Sequence, residues 1–101
     1  MSAIGVRIRD ADLSLTDMRR LATSAEEAGY QSVWLPESMG RDAIAELIAL
    51  VSATKRITVG TGIVPVFGRQ PTLTAAAVAT AAAIAPGRVI LGVGIGHRDS
   101  L

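Results

Sequence analysis

Apolar residues recur along this chain with two alternating periods, and each change of period marks an element. Ala3 to Ile8 alternates, with Ile4, Val6 and Ile8 on one face, and predicts a first strand. After the polar loop Arg9 to Asp12, Met18, Leu21, Ala22 and Ala25 recur at one-face helical spacing. Ser14 and Asp17 stand ahead of them at capping-box spacing, with Asp in place of the usual Glu, and Gly29 is the expected C-cap. Ser32-Val-Trp-Leu35 predicts a second strand stopped by Pro36; Asp42 then caps a helix whose Ile44, Leu47, Ile48 and Val51 share a face. A third strand begins at Ile57. An Ala-rich helix follows from about Thr72, its candidate cap, to Ala85; Ala85-Pro-Gly87 ends it, and Arg88 to Val93 predicts a fourth strand. Strands that begin near residues 4, 32, 57 and 88, each separated from the next by one helix, are the signature of βα units. The order βαβαβαβ predicts an α/β domain with a parallel sheet and right-handed crossovers.

The third strand, Ile57-Thr-Val-Gly-Thr-Gly-Ile-Val-Pro65, loses its β-branched character to glycines as it ends. Gly60 and Gly62 let other backbone come close, and Pro65 cannot continue a ladder. Without a Cβ at Gly62, the peptide joining it to Ile63 can take a geometry that other residues resist, as happens where ligands are held. A plain turn is the competing reading.

Composition narrows the classes. The 101 residues allow one domain, residues 1–101, with a real core but far short of the ~250 residues of a full eight-unit barrel. Half of the residues are hydrophobic and only three are aromatic, so the interior is built from Ala, Val, Ile and Leu. A net charge of +1 without a run of like charges gives no footprint for nucleic acid or an acidic membrane surface, and neither is expected as a partner. The absence of cysteine removes disulfides and thiol-ligated metal; a cytoplasmic protein is the simpler expectation. The Ala75 to Ala85 stretch is too short to span a bilayer.

In parallel α/β sheets and barrels, ligands sit at the carboxyl ends of the strands, which directs attention to four loops. The second offers Glu37 and Ser38, a carboxylate and a hydroxyl leaving a strand tip together. Glu37 can bind a ligand or act as an acid or base, or it is a solvated loop carboxylate. Asp42 reads as a helix cap first, and Trp34 as core or barrel wall. Arg69, in the third loop, suits a phosphate or carboxylate, although an exposed arginine is the commoner outcome. The fourth loop, Gly92-Val-Gly-Ile-Gly-His97, exposes backbone N–H groups that suit a phosphate or a ring edge. It lacks the spacing of the dinucleotide fingerprint. His97, the sole histidine, has no partners for a metal site and either contacts a ligand or is solvated.

Taken together, Ser-Val-Trp-Leu-Pro-Glu (32–37), Gly-Arg-Asp (40–42), Arg-Ile-Thr-Val-Gly-Thr-Gly-Ile-Val-Pro (56–65), Arg-Gln-Pro (69–71) and Gly-Arg-Val-Ile-Leu-Gly-Val-Gly (87–94) resemble the bacterial-luciferase-like monooxygenase family. Within it they look most like the coenzyme F420-dependent oxidoreductases. The likeness runs nearly end to end, but over only the N-terminal part of a family member.

The resemblance implies the first half of a TIM barrel binding F420, or alternatively FMN, at the strand tips. It places a non-prolyl cis peptide between Gly62 and Ile63, behind the deazaflavin or flavin ring, in a cofactor-binding stretch that includes Gly60 and Thr61. Gly94, Gly96 and His97 match the strand-four tip along the cofactor. Glu37 and Ser38 match the residues near the reacting centre, with Ser38 where many relatives have histidine. The implied reaction is hydride transfer between deazaflavin and a small organic substrate, or monooxygenation if FMN is bound.

Four parallel strands leave two open edges, so self-association, a complementing half-barrel, or a truncated or split form of a longer enzyme is expected. The alternative is a non-catalytic α/β half-barrel module that keeps the fold and binds no cofactor.

Overall fold

The computed structural model describes residues 4–9, 12–38 and 40–95. Strand and helix alternate as β1 (Gly5–Arg7), α1 (Leu15–Glu27), β2 (Ser32–Leu35), α2 (Ala43–Ala53), β3 (Thr58–Thr61), β4 (Val64–Pro65), α3 (Pro71–Ile84), β5 (Val89–Ile90) and β6 (Val93–Gly94). The sheet β1-β2-β3-β5 is parallel throughout, and β4 and β6 form a second parallel pair. β4 and β6 continue β3 and β5 beyond short interruptions. The expected four strands are therefore present, the third and fourth each in two segments.

Parallel partners share a face, and the register lines up Val6, Val33, Val59 and Val89 across the sheet. This row packs on α1 and α2. With Leu35, Met18, Leu47, Leu50, Val51 and Ile57 it makes one apolar core, in which Val33 and Val59 are fully buried. A smaller cluster joins Val64 to Ala43 and Ile44, with Ala77 and Val78 of α3 against it.

Local chemistry explains the helix ends. Ser14 Oγ accepts the Asp17 N–H at 3.1 Å, as its spacing predicts. Gly29, at φ +91°, follows the cap Ala28, and the N–H groups of Gly29 and Tyr30 bond back to the carbonyls of Glu26 and Ala25. Asp42 Oδ1 caps α2 by accepting the N–H groups of Ile44 and Ala45. The cap of α3 is Gln70, not Thr72. Its side-chain oxygen takes the Leu73 N–H at 2.7 Å while Pro71 fills the first turn, where a missing N–H costs nothing. Leu21 also departs from expectation: it lies at the margin of the α1 stripe and is partly exposed, whereas Met18, Ala22 and Ala25 are buried.

The break in the fourth strand has a specific cause. The Thr61 hydroxyl accepts the Gly92 N–H and donates to the Gly92 carbonyl, both at 2.9 Å, in place of a regular ladder. A Cβ on Gly92 would lie 2.2 Å from the Thr61 carbonyl oxygen, so this approach requires glycine.

At the opposite end of the strands, the buried Glu26 carboxylate accepts the backbone N–H groups of Lys55, Arg56 and Ile57 at 2.6–3.2 Å. Arg88 donates to the Ile57 carbonyl and to Thr54 Oγ1. These contacts tie the α1 C-terminus, the end of α2 and the starts of β3 and β5 together. Among the described residues no helix is long and apolar enough to cross a membrane.

Candidate functional site

The face of the sheet away from the helices is the side that would line the expected barrel, and Trp34 lies across it. Its indole N–H donates to Ser32 Oγ at 2.9 Å. A Cβ on Gly60 would sit 2.5 Å from the ring, and one on Gly5 would sit 2.5 Å from Ser32 Oγ. Glycine on the two neighbouring strands thus makes room for the indole. Gly60 is covered by it, and Thr61 is buried with its hydroxyl on Gly92, so both lie beneath the strand tip and support it.

Above Trp34 the chain jogs between β3 and β4 at Gly62–Ile63, and the peptide there is cis, as the resemblance implied. Hydrogen bonds hold the jog from both sides. Gly62 N–H donates to the Leu35 carbonyl at 2.8 Å, and Glu37 N–H donates to the Ile63 carbonyl at 3.2 Å. On the other flank Val64 and Val66 N–H groups donate to the Gly92 and Gly94 carbonyls, each at 2.8 Å. The Ile63 side chain, partly exposed, covers Gly94, where a Cβ would lie 2.6 Å from Ile63 Cδ1. At Gly62 an added Cβ would touch only Trp34, Cε3 at 3.7 Å, an ordinary van der Waals contact.

The Glu37 carboxylate is not solvated on its own. Arg69 grips both of its oxygens, Nε reaching Oε2 at 2.9 Å and Nη2 reaching Oε1, and Nη2 also meets Asp42 Oδ1 at 3.0 Å. The Arg69 side chain is only 17 % exposed, which corrects the expectation of an exposed arginine. Its two carboxylate partners, Glu37 foremost, hold its pKa above the ordinary value against the opposing effect of burial. For Asp42, burial pushes the pKa up, but the Ala45 N–H, Arg69 and the Ile44 N–H together bring it below the ordinary carboxylate value. Asp42 is thus the cap it was expected to be and an ion-pair partner besides. The Ser38 carbonyl accepts the Arg41 N–H at 3.1 Å across a turn that contains Gly40 at φ +84°.

The structure therefore brings Glu37, Gly62, Ile63 and Gly94 together at one end of the sheet, with Ser38 adjoining in the loop. Gly96 and His97, and Asp10 and Ala11 of the first loop, lie outside the described residues. The part that sequence reasoning missed is the Glu37–Arg69 pair. Its members are 32 residues apart, and no local spacing announces them.

The model of the luciferase-like monooxygenase family matches residues 2–100. An F420-dependent glucose-6-phosphate dehydrogenase of Amycolatopsis mediterranei is 33 % identical over 107 aligned residues, covering 96 % of this chain and 32 % of that protein. In structure, the coenzyme F420-dependent tetrahydromethanopterin reductase of Methanopyrus kandleri superposes with a TM-score of 0.87 at 27 % identity, over 97 % of this chain and 28 % of that one. An F420-dependent secondary alcohol dehydrogenase in complex with an F420–acetone adduct gives a TM-score of 0.87 at 28 % identity, over 94 % of this chain and 32 % of the other. This chain spans about a third or less of the length of each.

Proposed function

The chain belongs to the luciferase-like monooxygenase family, and from that premise we propose that it supplies the opening half of an F420-dependent oxidoreductase site. The reaction is hydride transfer with a small organic substrate, and FMN is the alternative cofactor. The observation that carries the reading is the layout of the strand tips. Gly62 leaves the Trp34 wall without a side chain above it, Ile63 beside it is exposed, and the Glu37 backbone N–H is bonded to the Ile63 carbonyl. The similarity to F420-dependent proteins supports the same reading.

The residues present fit a flat heterocycle, since the tip offers an apolar floor without a side chain at its centre. Gly62 and Ile63 would hold one face of the ring, and Gly94, with Gly96 and His97 beyond it, would lie along the cofactor. Coenzyme F420, when bound, supplies the carbon that takes or gives a hydride. Glu37 accepts a hydrogen bond from the bound molecule and fixes its orientation. Ser38 offers a hydroxyl where many relatives offer an imidazole, so proton transfer at that position is not available from its side chain at neutral pH. Such a protein works in the cytoplasm.

A fluorescence titration with F420, run beside FMN, tests this. Saturable F420 binding is expected, weakened at least tenfold in Gly62→Val. That variant puts a branched side chain on the strand tip, and its Cβ meets Trp34 only at ordinary contact distance. A folded chain that binds neither cofactor overturns the reading and leaves a half-barrel module without chemistry of its own.

A further inference from the structure

Glu37 is fixed at two points. Its backbone N–H is bonded to the Ile63 carbonyl at the jog, and both side-chain oxygens are bonded to Arg69. Arg69 is fixed in turn by Asp42, whose Oδ1 is already held by the Ile44 and Ala45 N–H groups at the start of α2. A continuous line of hydrogen bonds thus runs from the N-terminus of α2, through Asp42, Arg69 and Glu37, to the backbone at Ile63. The Arg69 and Glu37 side chains are 17 % and 19 % exposed, so water competes weakly for them. A guanidinium bound side-on to a carboxylate fixes its plane as well as its place, which a lysine ammonium does not.

We infer that Arg69 is a positioning residue, which fixes the Glu37 carboxylate at the tip of β2, on the residue whose backbone braces the Gly62–Ile63 jog, and keeps it there as a hydrogen-bond acceptor. The guanidinium occupies one side of each carboxylate oxygen, and the remaining lone pairs face elsewhere. The cluster sets one positive charge against two negative ones, so it does not serve as a phosphate clamp. A ligand group that meets Glu37 must donate to it. The inference rests on the hydride-transfer reading only for the identity of the molecule bound.

The test compares wild type with Arg69→Lys and Arg69→Gln. In amide ¹H–¹⁵N spectra of the unliganded chain, both variants should move the Glu37, Ile63 and Val64 signals, while α1 signals such as that of Ala22 stay in place. The Lys variant, which keeps the charge and loses the flat fork, should move them about as far as the Gln variant. In the F420 titration both should bind at least fivefold more weakly than wild type. Wild-type signal positions in the Lys variant, or F420 binding equal to wild type in both variants, overturn the inference. If the Gln variant does not fold, the Lys variant alone decides between these outcomes. Displaced signals in variants of a wild type that binds no F420 uphold the positioning role and overturn the cofactor reading instead.

Discussion

Single residues in this chain are decided by whether the nearest atom to an added Cβ lies at 3.7 Å, as at Gly62, or at 2.2 Å, as at Gly92. At Gly62 an added Cβ is accommodated, whereas at Gly92 it would meet a backbone oxygen at 2.2 Å that has no rotamer by which to yield. Gly92→Ala should therefore lower unfolding stability by about 2–3 kcal/mol, as overpacking does, when measured by urea denaturation. A loss below about 0.5 kcal/mol would mean that β3 and β5 separate easily at this point. At this scale the sequence was readable where the partner is near. Ser14, Asp42 and Gly29 bond within a turn of themselves, and their roles followed from spacing. Thr72 was displaced as a cap because the helix starts earlier: Gln70 takes the Leu73 N–H and Pro71 already has the φ of a first helical residue. Arg69 was misread because its partners arrive from other loops.

Elements are held together at the amino ends of the strands by a group that periodicity does not show. Glu26 is charged but stands four residues after Ala22, at the edge of the buried stripe of α1, and it is buried there because three N–H groups at the entry to β3 need an acceptor. Burial pushes its pKa up, but the N–H groups of Arg56, Ile57 and Lys55 and the Arg56 charge outweigh that, and the pKa falls below 4.5. A carboxyl whose pKa is lowered by folding adds stability that is complete above its unfolded value and lost as pH falls through the folded one. Glu26→Gln should thus cost about 2 kcal/mol at pH 7, with the gap to wild type closing as the pH drops below 4.5. Denaturant melts across that range check it, and a gap that does not change with pH would assign the effect to shape instead of charge. The order of strands and helices was legible from the alternation of periods. The interruption of the fourth strand was not, since it depends on a hydroxyl of the third.

For the whole molecule, the decisive fact is that the sheet formed by the described residues does not close. β1 and β5 are its edges, and beside β5 the side chains of Ile90, Leu91, Val93 and Ile95 are partly or largely exposed. Next to them a cleft of about 210 Å³ between α3 and the β4–β6 pair is lined by Val64, Val66, Pro71, Ala75, Leu91 and Val93. An apolar parallel edge with an empty seat beside it is built to receive further βα units. We propose that further βα units cover this edge, and that the 101 residues on their own cover it with a second copy. Light scattering of the isolated chain should report a mass above 10.4 kDa that rises with concentration; a monomer that stays monomeric and folded at high concentration would refute self-association. The four strands were legible in the alternation of periods, the half-barrel only through the resemblance, and what covers the edges lies beyond any pattern in the chain.

Trp34 is the chain's sole tryptophan, and its ring lies on the wall that a completed barrel would enclose. The colour of its ultraviolet emission depends on how much water surrounds the indole. The chain thus carries its own optical gauge of enclosure, which distinguishes an association that shuts the barrel from one that merely joins two molecules by their outer helices.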